Sequence, residues 1–154
     1  MIKSLFIASE VGGKLQKLDS IQVVAGAGIV GDRNFNKSKW PGQNITFISQ
    51  ESIEAFNRNY HQSIDLGATR RNVVTAGVDL NALVGKTFSI CGVVFKGVEL
   101  CEPCKDLGDD LMNDTISSAE VVNAFVHSGG LRAEVYSDGV LSVGMTFTIE
   151  ESSK

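Results

Sequence analysis

The segment Thr87-Phe-Ser-Ile-Cys-Gly-Val-Val-Phe-Lys-Gly-Val-Glu99 predicts the architecture of this protein more directly than any other. Two apolar runs, residues 87–90 and 93–99, are typical of β-strands, and Cys91-Gly92 between them suits a two-residue turn. We therefore expect a β-hairpin at this point. The second strand of that hairpin runs directly into a pair of closely spaced cysteines.

Similar short segments recur on both sides of the hairpin, separated by many of the 16 glycines of the chain. Further strands are predicted at residues 4–8, 20–24, 44–49, 68–75, 132–136 and 146–150. One helix is expected after Ser49, its N-cap, because Ile53, Phe56 and Tyr60 share a helical face. A helical turn is expected at 79–83 and a second helix near 118–126. About eight strands with two inserted helices indicate a mainly β protein, built as a closed or nearly closed β-barrel.

Composition narrows the classes of function. The chain has 154 residues, enough for one domain spanning 1–154. Its 14 basic and 18 acidic residues give a net charge of −4, which argues against a general nucleic-acid-binding protein. The N-terminal apolar run is too short for a secretory signal, and no run approaches the ~18 residues of a membrane span. Three cysteines, an odd number, favour a reducing, cytoplasmic setting over a disulfide framework.

The two cysteines after the hairpin are the main candidates for chemistry. They lie in Leu100-Cys-Glu-Pro-Cys-Lys105, where proline stiffens the turn that presents Cys104. The charge of Lys105 favours a nearby thiolate, and a thiolate is both a nucleophile and a soft metal ligand. A structural zinc site needs more ligands than this pair supplies, and a thioredoxin-type pair belongs in a βαβ unit. A turn with a purely structural role is the remaining alternative.

Three arginines lie beside glycines or at strand ends, where a backbone can approach an anion. Arg33 follows a glycine-rich bend, Arg71 is the second residue of an arginine pair, and Arg132 follows Gly129-Gly130, a possible anion nest. Arginine binds phosphate through two parallel hydrogen bonds, so each could hold a phosphorylated ligand. Each could equally be a solvated residue at a turn or strand end. Neither histidine has a cysteine or serine at an informative spacing.

The order of these motifs resembles the MOSC domain, the C-terminal domain of molybdenum cofactor sulfurases. The resemblance rests on Gly28-Ile-Val-Gly-Asp-Arg33, Asn44-Ile-Thr-Phe-Ile-Ser-Gln-Glu51, Arg71-Asn-Val-Val-Thr-Ala-Gly-Val-Asp-Leu80, Leu83-Val-Gly-Lys-Thr-Phe88, Glu102-Pro-Cys104, Gly129-Gly-Leu-Arg-Ala-Glu-Val-Tyr136 and Gly139-Val-Leu-Ser-Val-Gly-Met145. Each motif is weak alone, but their order and spacing extend over about residues 3–150. The resemblance implies a β-barrel of the pyruvate-kinase type.

The resemblance also implies a cofactor. In cofactor-bound members the cysteine after proline, here Cys104, coordinates molybdenum beside the two dithiolene sulfurs of the pterin, and in sulfurases it has been proposed to carry sulfur. Cys104 is therefore the expected catalytic residue and metal ligand, with the molybdenum cofactor bound at least transiently. The expected cofactor-binding residues are Arg33, Arg71, Asn72, Lys105, Gly130 and Arg132.

Three functions follow from that site. The first is a carrier that delivers the cofactor or its sulfur to partner proteins, either redox proteins or sulfur donors and acceptors. The second is a molybdenum-dependent reductase of N-oxygenated substrates that takes electrons from a separate donor. The third is a binding module without redox chemistry. Compared with the family, the chain has Asn34 in place of a histidine and Met145 in place of an aspartate, and it lacks the pyridoxal-phosphate domain of sulfurases.

Overall fold

The computed structural model describes residues 1–149, which form eleven strands, three α-helices and one 3-10 helix. The strands are β1 (Ile2–Ile7), β2 (Gln16–Leu18), β3 (Ser20–Val24), β4 (Gly28–Ile29), β5 (Ile45–Ser49), β6 (Val73–Thr75), β7 (Thr87–Ile90), β8 (Val93–Leu100), β9 (Leu131–Val135), β10 (Gly139–Ser142) and β11 (Phe147–Ile149). The α-helices are α1 (Gln50–Tyr60), α2 (Lys105–Leu111) and α3 (Ser118–Ala124), and the 3-10 helix is Leu80–Leu83. Within the described residues, no helix combines the length and the apolarity needed to cross a membrane.

Eight strands form one curled sheet in the order β11-β7-β8-β9-β5-β6-β1-β2, and β10-β3-β4 form a second sheet. All neighbours in the large sheet are antiparallel except β5 and β6, which are joined through α1. Near its two ends, Ile2 N–H donates to Met145 O at 2.8 Å and Gly144 N–H donates to Ile2 O at 2.8 Å. The result is a curled half-barrel, so the prediction of a mainly β, barrel-like fold with inserted helices is confirmed.

The concave face of the large sheet holds an aromatic core. Phe47 of β5 lies edge-on to Phe88, Phe95 and Phe147, with ring centroids 5.8–6.0 Å apart. Ile21 and Leu141 of the small sheet belong to the same buried cluster. The two sheets therefore enclose one core, which accounts for the alternation of buried and half-exposed residues along β7 and β9.

The three α-helices cover the opposite face of the large sheet. Ile48 and Val74 project from that face into a second buried cluster with Phe56 of α1, Val121 of α3 and Phe125 just after α3. At Gly108 of α2 a side chain would overlap the backbone and hydroxyl of Ser118, so the absence of a Cβ lets α2 and α3 pack closely. The convex face is thus apolar under the helices and polar beside them.

Several predicted elements are confirmed and others are wrong. The hairpin turns at Cys91 and Gly92, whose φ angles of 48° and 89° suit a two-residue turn, and the Ser49 hydroxyl caps α1 by accepting from Ser52 N–H. The strand expected at 68–75 is reduced to β6, because a turn with Arg70 at φ 63° precedes it. Residues 105–111, for which no element was predicted, form α2.

Strand number and strand ends also differ from the expectations. About eight strands were expected, but β2, β4 and β10 are additional short strands that sequence patterns of this length do not reveal. The last strand, expected at 146–150, is β11 in the described part of the chain, and residue 150 lies outside the described residues.

Candidate functional site

The cysteine loop, residues 101–104, is placed by the pairing of β8 with β9. Leu100 lies opposite Leu131, and Cys101 N–H then donates to Gly130 O at 2.7 Å. The chain leaving β8 and the chain entering β9 therefore emerge side by side. This brings the cysteine loop against residues 127–130, which lie about 25 positions away in the sequence.

Two side chains that sequence reasoning left without a role hold these loops together. The carboxylate of Glu102 accepts from the backbone N–H of His127 at 3.0 Å, and His127 Nδ1 lies 3.5 Å from the same carboxylate. Asn81, in the 3-10 helix, donates to His127 O at 2.8 Å. The predicted hairpin accounts for strand β8, which precedes the cysteine loop. Only the register of β8 against β9 shows that His127 lies beside that loop.

The two cysteines of the loop differ in accessibility. Cys101 is buried, with 2% of its surface exposed, whereas Cys104 is exposed, and both are free thiols. Cys104 is the N-cap residue of α2, but its side chain makes no capping hydrogen bond. Its carbonyl accepts from Gly108 N–H at 3.2 Å. The backbone of Cys104 is therefore fixed by the helix while its thiol is available to a ligand or reaction partner.

Lys105 directs its ammonium group to Asp109, one helical turn further on, with Nζ 2.7 Å from Oδ2. This hydrogen bond and ion pair raise the pKa of Lys105, and the bonds from Lys105 and Ser118 lower the pKa of Asp109. Both side chains are at the surface. A role of Lys105 in binding the cofactor stays a prediction, and in this structure its charge is shared with Asp109.

Arg71 reaches the cysteine loop. Its guanidinium donates to three backbone carbonyls, those of Gly129 at 3.0 Å, Thr69 at 3.3 Å and Cys101 at 3.5 Å. A guanidinium has five N–H donors, so two remain free. Within residues 1–149, no carboxylate lies within 4.0 Å of Arg71. The site therefore contains a partly buried positive charge that no acidic side chain neutralises.

Gly129 and Gly130 allow the backbone to approach the sheet at this point. A Cβ at Gly129 would overlap Cys101 O, and a Cβ at Gly130 would overlap Phe47 O. Gly130 also has a φ of 109°, which a residue with a side chain rarely adopts. The predicted glycine pair is thus required by close packing, and its role as an anion nest stays a prediction.

Asn72 lies under the site with only 3% of its surface exposed. Its amide group donates to Phe6 O at 3.1 Å and accepts from Thr46 N–H at 3.1 Å, and the Thr46 hydroxyl lies 3.1 Å from the same amide oxygen. The side chain therefore links β1 to β5 just before β6 begins. A contact between Asn72 and a cofactor stays a prediction.

The other two arginines lie apart from the cysteine loop. Arg132 is on the convex face of β9, opposite Thr46, with its Nε 3.8 Å from Glu99 Oε1. Arg33 follows β4 and forms an ion pair with the buried carboxylate of Asp32 at 3.1 Å. The structure thus brings Arg71 and Gly130 against Cys101, at the start of the loop that ends in Cys104. Asn72 follows Arg71 in the chain and is buried, and the ion pair of Arg33 is with Asp32, not with a residue of this loop.

The side chains at the cysteine loop can be compared with the ligands that a metal ion requires. In the part of the chain that the structure describes, no group of three or more His, Cys, Asp or Glu side chains is arranged to hold a metal ion. A metal bound through Cys104 would therefore take its remaining ligands from a cofactor or from solvent. A single exposed thiol, on a loop whose Cys101 carbonyl contacts an unneutralised arginine, fits a metal whose other ligands belong to an anionic cofactor.

Comparisons with known proteins agree with the fold. The structure is similar to the YuaD protein from Bacillus subtilis, with a TM-score of 0.83 and 19% identity, covering 95% of this chain and 92% of that one. It also resembles YiiM from Geobacillus stearothermophilus, with a TM-score of 0.72 and 14% identity over 98% and 76% of the two chains. YiiM from Escherichia coli gives 0.69 and 13% over 99% and 70%.

Sequence comparison gives the family. No curated protein sequence matches the chain. The family model described as the MOSC domain matches residues 33–148, which is well over half of the chain and includes the cysteine loop, Arg71 and Arg132. The resemblance noted from the sequence motifs is confirmed, and the protein belongs to the MOSC domain family.

Proposed function

We propose that this protein binds the molybdenum cofactor, with the thiolate of Cys104 as the protein ligand to the metal, and delivers the cofactor or its sulfur to partner proteins. The observation that supports this most directly is the combination of an exposed, unbonded Cys104 thiol with the unneutralised charge of Arg71 at the same loop. The MOSC family is associated with this cofactor.

Cys104 is suited to metal binding by its position. The N-cap backbone is held by α2 and by the loop contacts of Glu102, so the thiol is presented from a fixed point. Soft thiolate ligands suit molybdenum and sulfur chemistry better than oxygen ligands do. Cys101, which is buried and follows the β8 ladder directly, serves packing in this arrangement.

Arg71 is suited to an anionic group. Its three hydrogen bonds to carbonyls orient the guanidinium without cancelling its charge, and two N–H donors remain for a phosphate. The bonds to Cys101 O and Gly129 O tie the arginine to both loops. In the proposed complex Arg71 holds the phosphorylated pterin and also fixes the spacing between that group and Cys104.

When bound, the cofactor supplies a redox-active molybdenum ion whose other sulfur ligands are the two dithiolene sulfurs of the pterin. The chain itself supplies a ligand on a rigid turn and a positive charge for the phosphate. At Gly129 and Gly130, where close packing leaves no room for side chains, backbone alone borders the site. Because the thiol is exposed, a second protein can reach it from solvent.

Sulfur carriage would use the same thiol. The Cys104 thiolate attacks the outer sulfur of a persulfide on a donor protein, the donor's S–S bond breaks, and the donor cysteine leaves as a thiolate. One sulfur is transferred without net oxidation or reduction of the pair. The persulfide on Cys104 is then passed to the thiolate of an acceptor protein in the same way, and Cys104 leaves as a thiolate.

The test is elemental analysis of protein purified without oxygen from a host that makes the cofactor. Wild type, Cys104→Ser and Cys91→Ser are compared, with intact mass measured on the same samples. Cys91 is a matched control because it is also an exposed free thiol, but lies at the tip of the hairpin. We expect molybdenum, or one additional sulfur, on wild type and Cys91→Ser and neither on Cys104→Ser.

Stability separates this proposal from a structural cysteine turn. The Cys104 thiol makes no hydrogen bond and serine is a better N-cap, so Cys104→Ser should leave the free energy of unfolding unchanged or slightly higher. Equal molybdenum and sulfur contents in all three proteins would overturn the proposal. Protein that does carry molybdenum is then assayed with N-hydroxylated compounds and an artificial electron donor, which distinguishes a reductase from a carrier.

A further inference from the structure

Helices α2 and α3 form an exposed groove that begins at the residue after Cys104. Gly108 of α2 lets the two helices approach closely, because a Cβ there would overlap Ser118 and would lie 3.0 Å from Val122. The groove has a volume of about 620 Å³, within the roughly 300–1,000 Å³ of small-molecule sites. Lys105, the first residue of α2, lines it. The Cα atom of Cys104 is therefore only ~3.8 Å from that of a lining residue.

One wall of the groove is an apolar stripe on α3 that the core does not use. Val121 and Phe125 belong to the buried cluster under the helices. Ala119, Val122 and Val126 instead line the groove, at spacings of three and four residues that place them on one helical face. Val126 has 44% of its surface exposed. A surface helix usually carries one apolar stripe, directed at the core, so this second stripe has no role in folding and is available to a ligand.

The charged groups of the groove neutralise each other. Lys105 Nζ lies 2.7 Å from one carboxylate oxygen of Asp109, and the Ser118 hydroxyl donates to the other at 2.8 Å. Lys105 and Asp109 are the two charged side chains among the described residues that line the groove. A charged ligand would either break this pair or leave its own charge unpaired beside the valines, which costs free energy. The groove therefore favours an uncharged ligand.

We propose that the groove between α2 and α3 binds an uncharged, largely hydrocarbon molecule of two or three rings beside the Cys104 thiol. Its apolar body would lie against Val122 and Val126, and the Asn123 amide would bond a polar substituent. This inference goes beyond the proposed function, because it requires neither the metal nor the thiol. Binding in the groove and molybdenum binding at Cys104 can succeed or fail independently.

Two fluorescent probes with the same ring skeleton test the preference for an uncharged ligand. N-phenyl-1-naphthylamine is neutral, whereas 8-anilinonaphthalene-1-sulfonate adds one negative charge, and both emit strongly in apolar surroundings. The purified full chain is titrated with each. We expect saturable enhancement by the neutral probe and about tenfold weaker binding of the sulfonate, because its charge finds no free partner.

Three variants locate the binding. Val126→Gln should weaken binding of the neutral probe about fivefold, because it removes part of the apolar wall. Val140→Gln is the matched control, since Val140 is 51% exposed but lies on β10, outside the groove. Asp109→Asn leaves Lys105 without its partner, so it should strengthen binding of the sulfonate and leave that of the neutral probe unchanged. Melting temperatures show that each variant is folded.

Alkylation by iodoacetamide tests the position beside Cys104. Saturation with the neutral probe should slow modification of Cys104 severalfold and leave Cys91, the exposed thiol at the hairpin tip, unchanged. Peptide mass spectrometry measures both cysteines in one sample. Equal binding of the two probes, no effect of Val126→Gln, or no protection of Cys104 overturns the proposal. A dimer that Val126→Gln dissociates, seen by size-exclusion chromatography, also overturns it, because the groove would then bind a second copy of the chain.

Discussion

The two faces of strand β9 have opposite compositions. On the concave side Leu131, Ala133 and Val135 are essentially inaccessible and pack in the aromatic core, whereas Arg132 and Glu134 project from the convex side. Glu134 accepts hydrogen bonds from Gly42 N–H and the Asn44 amide, and Arg132 lines a surface pocket with Trp40. One strand thus supplies stability on one face and binding chemistry on the other. Substitutions on the two faces should therefore have separable effects.

The largest effect is expected for Phe47→Ala, on the concave side of the neighbouring strand β5. Phe47 is fully buried and contacts three other aromatic rings, so its removal leaves a cavity in the core. We expect a loss of about 3–5 kcal/mol in the free energy of unfolding. Urea denaturation followed by circular dichroism measures this loss.

The same variant tests whether the faces are separable. Protein that remains folded at low temperature should keep the molybdenum content of wild type, because neither Cys104 nor Arg71 is in the core around the Phe47 ring. Loss of molybdenum from Phe47→Ala that is still folded would show that the convex face depends on core packing, so that the two faces are not separable.

The next largest effect is expected for Gly130→Ala, at the point where β9 meets the cysteine loop. The new methyl group would overlap Phe47 O, and the φ of 109° is already unfavourable for alanine. Gly85→Ala is the matched control, since Gly85 also has a positive φ, 78°, but no atom lies within 4 Å of its Cβ position. We expect about 1–2 kcal/mol for the control and roughly twice that for Gly130→Ala.

Thermal unfolding of the two glycine variants measures this difference. Because Gly130 O accepts from Cys101 N–H, displacement of Gly130 should also move the cysteine loop and lower the molybdenum content. Equal destabilisation by both substitutions would mean that only the φ angle matters and that the contact with β5 is not restrictive.

The sequence predicted the parts of this fold that depend on local patterns. The hairpin, α1 with its Ser49 cap and the strand β5 follow from alternation, helical spacing and turn residues, which act over a few positions. Helix α2 was missed because its seven residues include a glycine and begin within the cysteine turn, so no helical face is visible in the sequence. Its stability comes from packing against α3, which local patterns do not show.

The candidate site was predictable to a similar degree. Cys104 and Arg71 could be named from residue type and the family resemblance, because thiolate and guanidinium chemistry is recognisable without coordinates. The contact of Glu102 with His127 and that of Glu134 with Gly42 could not be predicted. They join residues 25 and 92 positions apart, respectively, and depend on sheet register. Trp40 was not singled out, because the sequence alone does not show that it is exposed.

A smaller effect is expected for Asn72→Ala, under the convex face. Removing the amide leaves Phe6 O and Thr46 N–H without their side-chain partner in a buried position. We expect a loss of about 1–3 kcal/mol in the free energy of unfolding. Asn59→Ala is the control, because Asn59 is exposed on α1 and alanine favours a helix there.

Asn72→Ala also separates two roles of this residue. If Asn72 only links β1 to β5, molybdenum content per folded molecule should equal that of wild type. A stable variant that has lost its molybdenum would instead place Asn72 in the cofactor site, as the sequence predicted.

The smallest effect is expected at the ion pair of Lys105 and Asp109, on the solvent side of the convex face. The pKa of Asp109 is lowered, so its contribution to stability is present above the ordinary aspartate pKa of about 3.9 and is lost as the pH falls through the folded value. The pKa of Lys105 is raised, so its contribution is present below the ordinary lysine pKa of about 10.4 and is lost above the folded value.

Wild type and Asp109→Asn should therefore differ in melting temperature by a small, constant amount between pH 5 and 9. This range lies between the ordinary pKa values of the two groups, about 3.9 for aspartate and about 10.4 for lysine. The difference should vanish in acid, where Asp109 is protonated and the ion pair is lost. Asp110→Asn is the control, because Asp110 forms no ion pair among residues 1–149. Since the pair is exposed, salt should reduce the difference further. A large difference that persists in high salt would show that Asp109 fixes α2 beneath Cys104, and the convex face would then contribute to stability as the concave face does.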